Sequence, residues 1–198
     1  MTFKNKALIG GLSLIALIIV GLVGLQLVDG RSSPSDLPIY DQLGGDFSLE
    51  ATAPDFGTLS QTEGRVVLLS FGFTSCEDIC PLMLDKYRRI YQQLDNKGLN
   101  NVVMYFVTVD PARDTLEVMT EHFKIFDRRI VGLTGSQQQL EAVRTSLAVM
   151  AKPITGTDQV AHSDRIFLFD KQNRLRAMPS LTDSVEGVVQ MIQDLSNE

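Results

Sequence analysis

The stretch Arg65-Val-Val-Leu-Leu-Ser-Phe-Gly-Phe73 constrains the chain more than any other. A short, near-continuous apolar run of this kind reads as a strand covered on both faces, so it requires other elements above and below it. The residues that follow supply them. From Leu82 the apolar positions move to helical spacing, with Met83, Tyr87, Ile90, Tyr91 and Leu94 on one stripe. Val102–Val109 reads as a second buried strand. A helix follows with Leu116, Met119, Phe123 and Phe126 facing inward, and Asp114 with Glu117 three residues on forms a capping pattern ahead of it. Arg129–Leu133 is a short strand, and Ser136 with Gln139 opens a helix that uses Leu140, Val143 and Leu147. Arg165–Phe169 and Arg174–Ala177 flank Asp170–Asn173 as a hairpin, and a last helix from about Asp183 buries Val185, Val188, Ile192 and Leu195. The order β-α-β-α-β-α-β-β-α predicts an α/β fold, a mixed sheet flanked by helices. Residues 44–60 are expected to add an N-terminal hairpin.

The domain does not begin at residue 1. Ala7–Val28 is an uncharged apolar run interrupted by Ser13 and Gln26, preceded by Lys4 and Lys6. As a helix it is about 33 Å long, enough to span a bilayer core. Positive charge ahead of it keeps the N-terminus in the cytoplasm. A cleaved signal peptide is the competing reading, but the run exceeds an ordinary signal core and no small-residue cleavage site follows it. The expected organisation is a membrane anchor over 1–29, a polar, Pro-containing tether over 30–43, and one domain over 44–198. Both readings place that domain outside the cytoplasm, and the absence of an Arg-rich presequence favours a bacterial inner membrane with the domain in the periplasm. The whole chain carries a net charge of −6, so it lacks the bulk basic character of a nucleic-acid partner.

There are two cysteines and two histidines. Two cysteines build neither a disulfide-dense scaffold nor a four-thiolate zinc site, so they matter as one pair. Both fall in Thr74-Ser-Cys-Glu-Asp-Ile-Cys-Pro81, between the first buried strand and the first helix. Pro81 suits a first helical position, which puts Cys80 at the N-cap and Cys76 in the preceding loop. There the helix dipole favours thiolate over thiol. A thiol redox couple and a soft-metal site both fit such a pair, and thiolates select Cu(I). Two sulfurs leave a trigonal site one ligand short, and imidazole is a common third. His122 lies beside the apolar stripe of its helix and reads as structural. His162, in Val160-Ala-His-Ser163, follows a loop and is either an incidental surface residue or the partner of the pair. Asp110 and Arg113 stand at the end of the second strand, where Asp110 bonds near the site, shapes the loop, or with Pro111 simply terminates the strand. Met83 and Met119 sit on helical stripes and read as core filling.

Three segments together, Phe71-Gly-Phe-Thr-Ser-Cys-Glu-Asp-Ile-Cys-Pro81, Thr108-Val-Asp-Pro-Ala-Arg-Asp-Thr115 and Val160-Ala-His-Ser163, resemble the Sco/SenC copper-chaperone family in order and approximate spacing. The resemblance runs from about Gly44 to the C-terminus. It implies a thioredoxin-like fold and copper, Cu(I) or Cu(II), bound by Cys76, Cys80 and His162. It further implies a role in building the dinuclear copper centre of cytochrome c oxidase, with that oxidase's copper-site subunit and other copper chaperones as partners. Two positions depart from the family pattern. Glu77 stands where Pro is common after the first Cys, and Ala161 stands where Asp commonly precedes the His. Neither is a ligand in that pattern, although an acidic neighbour would orient an imidazole. The alternative is a thiol–disulfide oxidoreductase or redox sensor in which Cys76 or Cys80 attacks a partner disulfide. Nothing matches the nucleophile-plus-Arg arrangement of a peroxidase.

Overall fold

The computed structural model describes residues 37–149, 152–153, 160–161 and 164–198. The apolar run Ala7–Val28 lies outside them, and no helix among the described residues is long and apolar enough to cross a membrane. The elements are β1 (Glu50–Ala51), β2 (Val66–Gly72), α1 (Ile79–Lys97), β3 (Val102–Thr108), α2 (Leu116–Phe123), β4 (Val131–Thr134), α3 (Gln137–Ser146), β5 (Lys152–Pro153), β6 (Val160–Ala161), β7 (Phe167–Phe169), β8 (Leu175–Ala177) and α4 (Val185–Asn197).

Six strands form one sheet in the order β1-β4-β3-β2-β7-β8. β2, β3 and β4 are parallel, and β1, β7 and β8 pair antiparallel to their neighbours. The mixed sheet expected from the alternating pattern is therefore present. Every residue of β2 is buried, on both sides of the pleat, which matches its unbroken apolar run. α1 presents Met83, Tyr87, Ile90, Tyr91 and Leu94 inward as its spacing requires, and α1 packs against α4. Gly98, at φ +68°, ends α1 by turning its N–H back to Asp95 and Leu94. β5 and β6 pair antiparallel as a separate two-stranded ribbon.

Three local expectations change. Residues 44–60 do not form a regular hairpin. Ser48 and Thr58 make one isolated antiparallel bridge around a short 3₁₀ turn at Pro54–Phe56, while β1 crosses to pair with β4. The strand expected at Arg129–Leu133 begins at Val131, because residues 127–130 form a turn closed by the Ile130 N–H on the Asp127 carbonyl. The Arg129 guanidinium lies 4.1 Å from the Tyr91 ring centroid and pairs with Asp95 and Asp127. The cap of α2 moves by one residue: Thr115, not Asp114, accepts from the Val118 N–H.

The far edge of the sheet is closed by a buried ionic knot. Arg176, 4% exposed, donates to Asp170, to Glu198 and to the carbonyls of Leu37 and Pro38. It thereby ties the beginning of the domain to its last residue. Burial of Asp170 opposes ionisation. Bonds from Arg174, Arg176 and the Gln172 N–H outweigh it and hold the carboxyl below its ordinary value of 3.8. A carboxylate depressed in this way stabilises the fold above its unfolded pKa, and the contribution is lost as pH falls through the folded value. The urea midpoint should therefore hold between about pH 7 and 5 and drop below about pH 4. Arg176→Met should lower stability at neutral pH by about 3 kcal/mol and flatten that acid limb. Parallel acid limbs in the two proteins would show that the knot contributes nothing to it.

Candidate metal centre

β2 delivers the chain to the site. It ends at Gly72, Phe73 follows, and a turn in which the Cys76 N–H meets the Phe73 carbonyl at 3.2 Å carries the chain into α1. α1 starts at Ile79 with Asp78 as the flanking residue, so Cys80 is the second helical residue and Pro81 the third, not the N-cap and first. The first-turn N–H groups have no acceptor within the helix, so Pro81 removes nothing there.

Cys76 and Cys80 are 8% and 1% exposed and stand as two thiols, not a disulfide. They are close enough for the Cys80 thiol to share a hydrogen bond with Cys76. Gly72 is what makes room for Cys80. A Cβ at Gly72 would lie 2.9 Å from the Cys80 Sγ and 2.4 Å from the buried Phe106 ring. Burial pushes the Cys80 pKa well above the ordinary thiol range; Cys76 and the Asp114 charge add to it, while the Phe73 backbone opposes it. The expectation that the helix terminus favours thiolate therefore fails for Cys80, because desolvation outweighs the dipole.

The residue that sequence reasoning missed is Asp114. Released from the cap by Thr115, its side chain points inward and is fully buried. It accepts from the Thr74 N–H at 3.1 Å and from the hydroxyls of Thr74 at 2.5 Å and Thr108 at 2.6 Å. Thr108 Oγ1 in turn accepts from the Asp110 N–H at 2.9 Å. One carboxylate thus fastens the loop before Cys76 to the end of β3. Asp110 and Arg113 form an ion pair beside it, with the Arg113 guanidinium 5.8 Å from the Phe73 ring centroid. Asp110 thus shapes the loop.

His162 lies outside the described residues; the backbone just before it, Val160–Ala161, is β6. The structure thus brings Cys76 and Cys80 together and leaves the third predicted residue unplaced. Among the described residues, no three His, Cys, Asp or Glu side chains are grouped to hold a metal. His122 is half-buried on α2, with its ring centroid 5.5 Å from that of Phe126 and 6.1 Å from that of Phe123. Burial lowers its pKa and the Asp114 charge partly opposes this, as for a packing residue. Met83 and Met119 are buried core residues, as their spacing suggested.

The family model described as SCO1/SenC matches residues 37–197, which include the cysteine loop and the Asp110–Thr115 loop. This chain belongs to the SCO1/SenC family. It is 30% identical over 189 residues to an SCO2-like protein of Rickettsia felis, covering 89% of this chain and 92% of that one. It is 40% identical over 154 residues to the mitochondrial SCO2 homolog of Bos taurus, covering 71% of this chain and 58% of that one. Its fold is similar to ScoI of Arabidopsis thaliana, solved with copper bound, at a TM-score of 0.72 and 28% identity, covering 79% of this chain and 99% of that one. Copper-bound yeast Sco1 is similar at a TM-score of 0.66 and 29% identity, covering 77% and 89%. The SCO1/SenC fold is thus a thioredoxin-like mixed sheet flanked by helices, in agreement with the sequence expectation.

Asp114 gives this centre its most direct test. Asp114→Ala leaves the Thr74 N–H and the hydroxyls of Thr74 and buried Thr108 without their acceptor, and should cost about 3 kcal/mol in urea unfolding. Asp114→Asn keeps an acceptor oxygen and should cost less. Equal stability of the Ala variant and the parent would show that the carboxylate does not hold the loop.

Proposed function

We propose that this SCO1/SenC protein is a copper chaperone that holds the ion through Cys76, Cys80 and His162 and delivers it to the dinuclear copper centre of cytochrome c oxidase. The adjacent buried thiols on a loop fastened by Asp114 carry this reading. Two soft sulfurs at fixed positions suit Cu(I) and tolerate Cu(II) if a nitrogen ligand joins them. This reading assigns that place to His162, the next residue in sequence after β6. Relatives solved with copper bound support the choice of cargo. Ala7–Val28 would anchor the domain to the inner membrane from the periplasmic side, within reach of the oxidase's copper-site subunit and of other copper chaperones. The copper leaves by ligand exchange, so the chain changes no covalent bond in its partner.

The test uses residues 35–198, which form one compact unit. One copper ion per chain should bind, and neither Cys76→Ala nor Cys80→Ala should retain tight binding. His162→Ala should weaken binding at least about tenfold and change the X-ray absorption edge. Unchanged binding in that variant removes the three-ligand reading. Because burial keeps Cys80 protonated in the metal-free protein, copper must displace its proton. Apparent affinity should accordingly rise with pH, with proton release detectable by titration calorimetry in buffers of different ionisation enthalpy. A pH-independent affinity contradicts this.

A second reading draws on the unequal exposure of the two thiols. Cys76, the more exposed, would attack a partner disulfide as thiolate and expel one partner thiolate. Cys80 would then attack Cys76 in the mixed disulfide, freeing the second partner sulfur and leaving Cys76–Cys80 oxidised. Cys80→Ser should trap the Cys76 mixed disulfide with an oxidised partner peptide. If none accumulates, thiol exchange is not an activity of this site.

A further inference from the structure

The described residues contain ten arginines, and eight of them hydrogen-bond to a side chain or a backbone carbonyl. The two whose guanidiniums have neither a hydrogen bond nor an ion pair among the described residues, Arg65 and Arg128, line the same cleft. This cleft has a volume of about 560 Å³, inside the range of small-molecule sites. It opens where β2, β3 and β4 begin, while the cysteine loop stands where β2 ends, so the two are separated by the length of the sheet.

Its construction is amphiphilic. Val102, Val131 and Phe123 contribute apolar surface, and Phe56 and Tyr91 add aromatic rings. Arg65 lies over Phe56 at 5.2 Å, and Arg129 over Tyr91 at 4.1 Å. Arg129 has its fork filled by Asp95 and Asp127, so it acts as wall. Lys124 is likewise paired, with Glu121. Arg65 and Arg128 retain forks of N–H donors at a cleft in a chain whose net charge is −6. A guanidinium matches the planar, bidentate acceptor geometry of a carboxylate or phosphate, and its aromatic support preorganises it. We propose that this cleft binds an oxyanion, of phosphate or carboxylate type, attached to an apolar group: the oxygens meet Arg65 and Arg128 and the apolar body lies on the wall of Val102, Phe123 and Val131. The site is independent of copper binding and of the cysteine pair.

The probe is phenyl phosphate, titrated into isotopically labelled residues 35–198 and followed by amide chemical shifts. Saturable shifts should centre on Arg65, Val102 and Arg128. Inorganic phosphate alone and phenol alone should each bind at least about tenfold more weakly, since each offers half of the match. Arg65→Gln and Arg128→Gln should each weaken phenyl phosphate about tenfold. Arg89→Gln, an exposed arginine on α1 outside the cleft, should leave it unchanged. Phosphatidylglycerol vesicles distinguish the source: retention that is absent with phosphatidylcholine and lost in the Arg65→Gln/Arg128→Gln protein assigns a lipid headgroup. Phenyl phosphate binding without vesicle retention assigns a soluble anion. The proposal is overturned if no saturable shift occurs, if shifts centre on the cysteine loop, or if the double variant, folded by its amide dispersion, binds phenyl phosphate as the parent does.

Discussion

β2 lies between β3 and β7 with all seven of its residues buried, and its parallel register with β3 sets Gly72 opposite Thr108. Two loops leave the sheet side by side at that level, one carrying the cysteines and the other carrying Asp110–Thr115. Side-by-side loops with no further link would be held only by their strand ends. Asp114 supplies the link, and the Thr74 N–H and Thr74 and Thr108 hydroxyls satisfy the carboxylate's oxygens in a site closed to water. A buried charge with that many donors is costly to disrupt, so the spacing of the cysteine loop relative to β3 is fixed before any ligand arrives.

The same register explains the glycine at the end of β2. Phe106, two residues before the end of β3, turns its ring toward Gly72, and the Cys80 sulfur fills the space beside it. The absence of a side chain at position 72 therefore lets an aromatic ring and a thiol share one pocket under the loop. This packing excludes water from Cys80, and exclusion of water keeps the thiol protonated against the pull of the helix terminus. In the metal-free state Cys80 is thus a protonated thiol held by its packing. A soft ion that displaces the proton gains preformed sulfur positions without reorganising the loop.

The strands, the helix stripes and the cysteine pair were legible in the sequence because each is a local pattern whose period or spacing carries its own meaning. β2 read as doubly buried from its composition alone, and α1 declared its inner face through Met83, Tyr87, Ile90 and Leu94. Asp114 was misread for an equally local reason. Asp114 and Thr115 are both good capping residues, and adjacent candidates differ by one position that sequence spacing does not resolve. The deciding partner, Thr74, lies forty positions away in sequence, so the choice is made by tertiary contact. β1 was hidden similarly, since a two-residue strand has no periodicity and exists only through its pairing with β4. The cue that was available for Asp114 is Thr108. A strand otherwise apolar that ends in threonine, six residues before an aspartate, signals a buried hydroxyl in need of an acceptor.

The two ends of the parallel strands carry opposite chemistry, and the sheet between them explains why both can coexist. At the C-terminal end sit two buried thiols and a carboxylate saturated by donors. At the N-terminal end sit Arg65 and Arg128, cationic and exposed. Seven residues of β2 separate the two by roughly 20 Å, at which a unit charge acts on another by less than about 1 kcal/mol. The guanidiniums therefore act far more weakly on Cys80 than its immediate packing, which governs its ionisation. Charge at the cleft and proton affinity at the cysteines can vary with little effect on each other, and the rigid strand that isolates them is the same one that positions both.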